Sequence, residues 1–191
     1  AYPDRYQNYQ PVAEAILTAL TRPVSSGNDG GDETPVVPET TRIVFPLPEG
    51  TWARTSPFGW RNDPITGERR FHAGSDFAAP DGTPIYAVAD GIVVRAGYTD
   101  AGGGVIVIEH TVRGERVASM YVHMWAHGIH VAEGDTVTAG QRIGDVGSSG
   151  HSTGPHLHLQ IHPGGADADP VNSDAWLTDH GVEVTYCLVT D

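Results

Sequence analysis

Not one lysine occurs in the 191 residues, so all 11 basic side chains are arginines, set against 24 acidic ones. A formal charge of −13 excludes a nucleic-acid binder, which needs a basic stripe against phosphates, and equally a segment that docks on an anionic membrane. Cysteine is almost absent: Cys187 stands alone and has no internal disulfide partner. Its Val/Leu surroundings make it a small hydrophobe rather than a nucleophile. No apolar run reaches the roughly 18 residues of a membrane-spanning helix. The chain starts at Ala1 without the basic and apolar regions of a signal peptide, so it is expected to be a mature or excised fragment with any anchor upstream.

Turn formers are what the chain has in quantity. Its 24 glycines and 14 prolines punctuate short Val/Ile/Thr runs, a pattern that predicts an all-β domain. Pro11 begins a helical spacing of Val12, Ile16, Leu17 and Leu20, predicting a short helix in an N-terminal arm over 1–21. An acidic Gly/Pro/Ser-rich linker is expected over 22–43, the domain proper over 44–180, and a strand or tail over 181–191. The runs 89–93 and 134–141 resemble the halves of lipoyl and biotinyl carrier domains. Such carriers load their cofactor on a lysine, so a carrier role is excluded and only a barrel-sandwich shape survives.

Ten histidines are the chemically informative residues. In the strand predicted after the loop 147–155, His156, His158, Gln160 and His162 share one face, while Leu157, Leu159 and Ile161 share the other. Imidazoles two apart on a strand sit roughly 6.5 to 7 Å apart, which suits one metal ligand and one catalytic partner. Alternation over Met120–Met124 puts Tyr121 and His123 together, opposite Met120, Val122 and Met124. Tyr121 and His162 are therefore candidates to touch substrate. His72 and Asp76 are four apart, but Gly74 and the following Pro80-Asp81-Gly82 argue against a helix. A straight strand would hold the two side chains roughly 13 Å apart, so the chain must curl at Gly74 if both are to meet one ion. A hydrolytic zinc site needs about three protein ligands and one open position. His72, Asp76 and one of His156 and His158 supply that set, leaving His123 and the other histidine for proton transfer and charge stabilisation. His110, His127 and His130 read as structural or solvated, and His151 as a rim residue.

His72-x-x-x-Asp76, Tyr121-Val122-His123-Met124 and Ser152-Thr153-Gly154-Pro155-His156-Leu157-His158, in that order, resemble the motifs of the lysostaphin-type zinc metallopeptidases, which cut peptidoglycan cross-links. Scaffold runs at 81–91 and 134–147 match as well, so the resemblance covers roughly 45–162. It implies zinc held by His72, Asp76 and His158, with His123 and His156 as catalytic histidines, in antiparallel β-sheets enclosing a narrow groove. It also implies a peptidoglycan peptide as substrate and an extracytoplasmic location. The strong negative charge is unexpected for a wall-acting enzyme; either tethering brings it to the wall, or Arg61, Arg69 and Arg70 cluster near the groove. The competing expectation is a non-hydrolytic module of the same fold that binds wall peptides or activates a partner amidase.

Overall fold

The computed structural model describes residues 37–99 and 103–184. The helix expected in the N-terminal arm, residues 22–36 of the expected linker, and residues 185–191 with Cys187 lie outside them. In chain order the strands are β1 (Glu39–Thr40), β2 (Ala53–Ser56), β3 (Gly59–Asn62), β4 (Arg69–His72), β5 (Ser75–Ala78), β6 (Pro84–Tyr86), β7 (Gly91–Thr99), β8 (Gly103–Val112), β9 (Glu115–Met124), β10 (Thr136–Val137), β11 (Arg142–Asp145) and β12 (His156–Pro163). One α-helix among the described residues, α1 (Ser173–Asp179), follows them.

The main sheet runs β10-β7-β8-β9-β12-β5-β2, antiparallel throughout, with β1 parallel to the end of β8. Two ribbons, β3–β4 and β6–β11, stand beside it. The β8–β9 hairpin turns through Arg113 (φ 53°) and Gly114 (φ 80°), the two left-handed residues that a twist-matched two-residue turn requires. No described helix is long and apolar enough to cross a membrane.

The pleat decides which side is core. Phe77, Ile106, Ile108, Tyr121, Leu157, Leu159 and Ile161 are all 0% exposed and belong to one hydrophobic cluster. Each such side chain contributes about 1.5 to 3 kcal/mol of burial, so a one-residue slip of β12 would trade three of them for histidines and glutamine. The register of β12, and hence the direction of its histidines, is set by the leucines and isoleucine between them. Phe77 does the same for Asp76: Phe45 and Trp52 stack 4.2 Å apart, and both meet Phe77 edge-on at 5.1 and 5.2 Å. This grip on the core face of β5 leaves the neighbouring carboxylate on the other. The short helix α1 has no periodic signature long enough to be read in advance. Its start is set by Asn172, whose side chain accepts from the amides of Asp174 and Ala175, and its Trp176 and Leu177 join the core.

Candidate metal centre and active site

Asp76, on β5, lies opposite His158, on β12, and His158 in turn lies opposite Val122, on β9. Directly opposed residues share a face, so the sheet presents Asp76 and His158 side by side. His72 arrives from the end of β4, and the turn at Ala73-Gly74 brings it back over the sheet. Gly74 has no positive φ; what it supplies is space. A Cβ there would lie 2.4 Å from the Leu159 carbonyl oxygen and 2.8 Å from the His158 ring.

The three side chains converge. His72 Nε2 is 3.1 Å from Asp76 Oδ1 and 3.0 Å from His158 Nδ1, and His158 Nδ1 is 2.8 Å from the same Asp76 oxygen. All three residues are buried. His72 Nδ1 donates to the Pro57 carbonyl at 2.8 Å, which leaves Nε2 bare in the neutral ring. Two ring nitrogens and a carboxylate oxygen thus crowd together with at most one proton among them, an arrangement that lone-pair repulsion disfavours and a cation relieves. Two imidazole nitrogens and one carboxylate oxygen are a donor set suited to zinc. Burial opposes ionisation of Asp76, but the rings of His158 and His72 at hydrogen-bond distance outweigh it and hold the carboxyl well below the usual range. Burial pushes the His158 imidazole down, towards its neutral form, the form that binds metal.

His123 and His156 flank this cluster, with ring centroids 4.6 Å apart, and His123 is 5.9 Å from His158. Alternation alone would have turned His123 into the core beside Tyr121. The ladder instead steps from the pair Val105–Val122 to the pair Gly104–Met124, so His123 is the extra residue of a β-bulge, with φ at 78°. The bulge swaps the faces: Met124 goes to the core and His123 to the site. A non-glycine residue in that region costs about 1 to 3 kcal/mol, and the loop after β11 holds it there. His123 Nδ1 donates to the Ser149 carbonyl at 2.8 Å, and the Ser149 amide donates to the His123 carbonyl at 3.1 Å. Ser149 Oγ also accepts from the Gly104 amide at 3.1 Å and donates to the Met124 carbonyl, filling the gap the bulge opens in the ladder. Sequence reasoning missed Ser149; the only signal was its place between Gly147 and Gly150, opposite the glycines that begin β8. His156 Nδ1 donates to the Gly154 carbonyl at 2.8 Å. Both flanking rings therefore tie Nδ1 to a carbonyl and turn Nε2 towards the site, that of His156 lying 3.7 Å from Asp76 Oδ1. Burial, followed by the neighbouring His158 and His156, pushes the His123 pKa down to about 3.

One of the two expected substrate contacts is corrected. Tyr121 is fully buried on the core face. Its hydroxyl accepts from the Val88 amide at 2.9 Å and bonds with Ser119 Oγ at 3.0 Å, and Ser119 reaches His110 Nε2 at 2.7 Å. The bulge after Tyr121, invisible to an alternation rule, is what parts it from His123. His162 is on the site face but only 6% exposed, packed against Gln160 and the Ala168 carbonyl at 3.0 and 2.7 Å. His110 is buried, with Nδ1 donating to the Asp90 carbonyl. His130 pairs with Asp145, and His151 bonds Asp63 at 3.1 Å. Arg61, Arg69 and Arg70 all lie on the β3–β4 ribbon, and the Arg61 guanidinium is 3.6 Å from Asp76. An open cavity of about 490 Å³, lined in part by Trp52, Ala78 and Pro155, adjoins the site, since Ala78 lies opposite His156.

An antiparallel sheet carrying a buried His/Asp/His donor set beside two further imidazoles defines a metallohydrolase of the lysostaphin type. The chain belongs to peptidase family M23, whose model matches residues 70–170, a family of zinc metallopeptidases. Over 118 residues it is 42% identical to the DD-carboxypeptidase/endopeptidase Mpg of Neisseria meningitidis, covering 62% of this chain and 26% of that protein. Over 110 residues it is 36% identical to the peptidoglycan DD-endopeptidase ShyC of Vibrio cholerae, covering 58% and 24%. The catalytic domain of lysostaphin from Staphylococcus simulans superposes with a TM-score of 0.58 at 32% identity, covering 66% of this chain and 92% of that domain. The chain spans about a quarter of the length of these curated relatives.

Proposed function

We propose that this chain is a zinc endopeptidase that hydrolyses amide bonds in peptidoglycan stem-peptide cross-links, acting outside the cytoplasm, with 44–180 as its catalytic unit. The observation that carries the reading is the convergence of His72 Nε2, Asp76 Oδ1 and His158 Nδ1 beside two imidazoles whose Nδ1 atoms are tied to backbone carbonyls. His72, Asp76 and His158 hold the metal. Zinc in that place supplies Lewis acidity towards the scissile carbonyl and a water pKa brought towards about 7. His123, its Nδ1 proton engaged by Ser149, offers Nε2 to take a proton from the attacking water. The proton that His123 accepts is the one passed on to the leaving amine, while His156, oriented by Gly154, stabilises negative charge on the carbonyl oxygen when its Nε2 carries a proton. Burial holds His123 in its neutral form, so its Nε2 is unprotonated and open to a proton.

The donor set is complete, which favours hydrolysis over the binding-module reading. The deciding experiment is mass spectrometry of products from defined cross-linked muropeptides, with and without a chelator, on the full chain and on a version starting near Ile43. The expected result is zinc-dependent cleavage of one cross-link amide. Binding without cleavage by both versions, in zinc-loaded protein, would establish the regulator instead.

A further inference from the structure

Beyond the His72/Asp76/His158 cluster, a buried polar chain runs along the same face of β12. The Gln160 amide nitrogen lies 2.9 Å from His158 Nε2, its oxygen lies 3.0 Å from His162 Nε2, and His162 Nδ1 lies 2.7 Å from the Ala168 carbonyl. Gln160 and His162 are 4% and 6% exposed, so water does not make up for a mismatched partner. The far end is fixed. The turn that presents Ala168 is pinned by the Gly164 amide donating to Arg116 at 2.7 Å and the Ala168 amide donating to Gly165 at 2.9 Å.

A carbonyl oxygen can only accept, so His162 must carry a proton on Nδ1. If Gln160 also presents its oxygen to Nε2, His162 needs a second proton and becomes a buried imidazolium, which burial disfavours. Turning the amide over, a change of orientation that leaves its shape unaltered, satisfies every group with neutral rings. The Gln160 NH2 then donates to His162 Nε2, and its oxygen faces His158 Nε2, which must donate. We infer that Gln160 and His162 are positioning residues that hold His158 in its Nε2–H tautomer, leaving Nδ1 bare for the metal, with the Ala168 carbonyl as the anchor of the chain. Asp76 Oδ1, 2.8 Å from His158 Nδ1, pulls the proton the other way when no metal is present, and the chain from Ala168 opposes it. The inference rests on His158 being a ligand, as in the proposed function.

The test uses the full chain labelled with 15N-histidine, zinc-free, and reads which nitrogen of each ring carries hydrogen by long-range 15N–1H correlation. Expected are Nε2–H for His158 and Nδ1–H for His162. In Gln160→Leu, His158 moves to Nδ1–H while His162 stays as it was. Affinity for Zn2+ alone, measured against a chelating dye, falls roughly 10- to 100-fold, as is usual for lost support of a ligand. Gln160→Glu, whose carboxylate still accepts from His158 Nε2–H, keeps the affinity, with His162 taking a second proton beside the new charge. If Gln160→Leu does not fold, His162→Leu takes its place, with mixed His158 tautomers and weaker zinc binding expected. An unchanged His158 tautomer with zinc affinity within twofold of the parent in the folded variant overturns the inference. Parent protein that binds no zinc overturns the metal assignment instead, and the tautomers of the zinc-free rings still decide the chain.

Discussion

Replacing Gly74 by alanine separates two reasons for a glycine between His72 and Asp76: backbone freedom and space. Its φ is not positive, so alanine meets no torsional obstacle. Were freedom the only issue, the change would stabilise the fold by about 0.4 to 1 kcal/mol through the unfolded chain. The added Cβ would instead sit 2.4 Å from the Leu159 carbonyl oxygen and 2.8 Å from Cε1 and Nε2 of His158. Neither neighbour yields easily. Leu159 is paired on both sides, to Ser75 and to Tyr121, and both ring nitrogens of His158 are engaged. Overpacking of this kind costs about 1 to 3 kcal/mol. At about 2 to 4 °C per kcal/mol for a chain of this size, the zinc-free variant melts roughly 2 to 12 °C below the parent. Zinc affinity falls with it, because the displaced ring is one of the three proposed ligands. Calorimetry of the zinc-free chain and a zinc titration against a chelating dye read the two effects. A variant that melts no lower than the parent and binds zinc as tightly refutes the spatial account.

His123→Ala is expected to keep zinc, measured by metal analysis, while kcat/KM on a defined muropeptide drops about 10²- to 10⁴-fold; parental turnover would strip His123 of its role. Tyr121→Phe removes a hydroxyl bonded to Val88 and Ser119, so stability falls by about 1 to 3 kcal/mol while KM stays put; a raised KM would restore the substrate-contact reading. His110 has its pKa pushed down to about 4 by burial, against an ordinary value of about 6.5. Between these values only the unfolded ring binds the proton, so stability is full above about pH 6.5 and is lost as pH falls towards 4, by about 3 kcal/mol at most. His110→Gln should flatten part of that dependence in melting temperatures taken from pH 7.5 to 5, and an unchanged slope would count against it.

How far the sequence could be read follows the range of its rules. Period-two alternation correctly separated the leucines of β12 from its histidines, because that strand is regular and buried. The same rule failed on β9, the strand paired directly with β12, where one extra residue at His123 parted it from Tyr121. A bulge is decided by the partner strand and by a loop 26 residues later, through Ser149, and no local pattern records it. The His72/Asp76 pair was legible as a pair, since Gly74 and Pro80 argued against a helix, but the need for Gly74 lies in Leu159 and His158, far along the chain. His162 was placed on the right face and given the wrong surroundings, because the turn at 164–168 that covers it has no periodic signature. The arginines of the β3–β4 ribbon were a choice between two expectations that only pairing could resolve.

The bulge at His123 makes the active site a fault in an otherwise regular sheet. Deleting that one residue would join Val122 to Met124 in an uninterrupted ladder, with no left-handed backbone and no gap for Ser149 to fill. Such a chain would give up nothing from the core and would shed a strained torsion, yet it would have lost its proposed base. The place where pairing fails is the place where chemistry becomes possible, and a search for sturdier versions of this fold will tend to mend that fault.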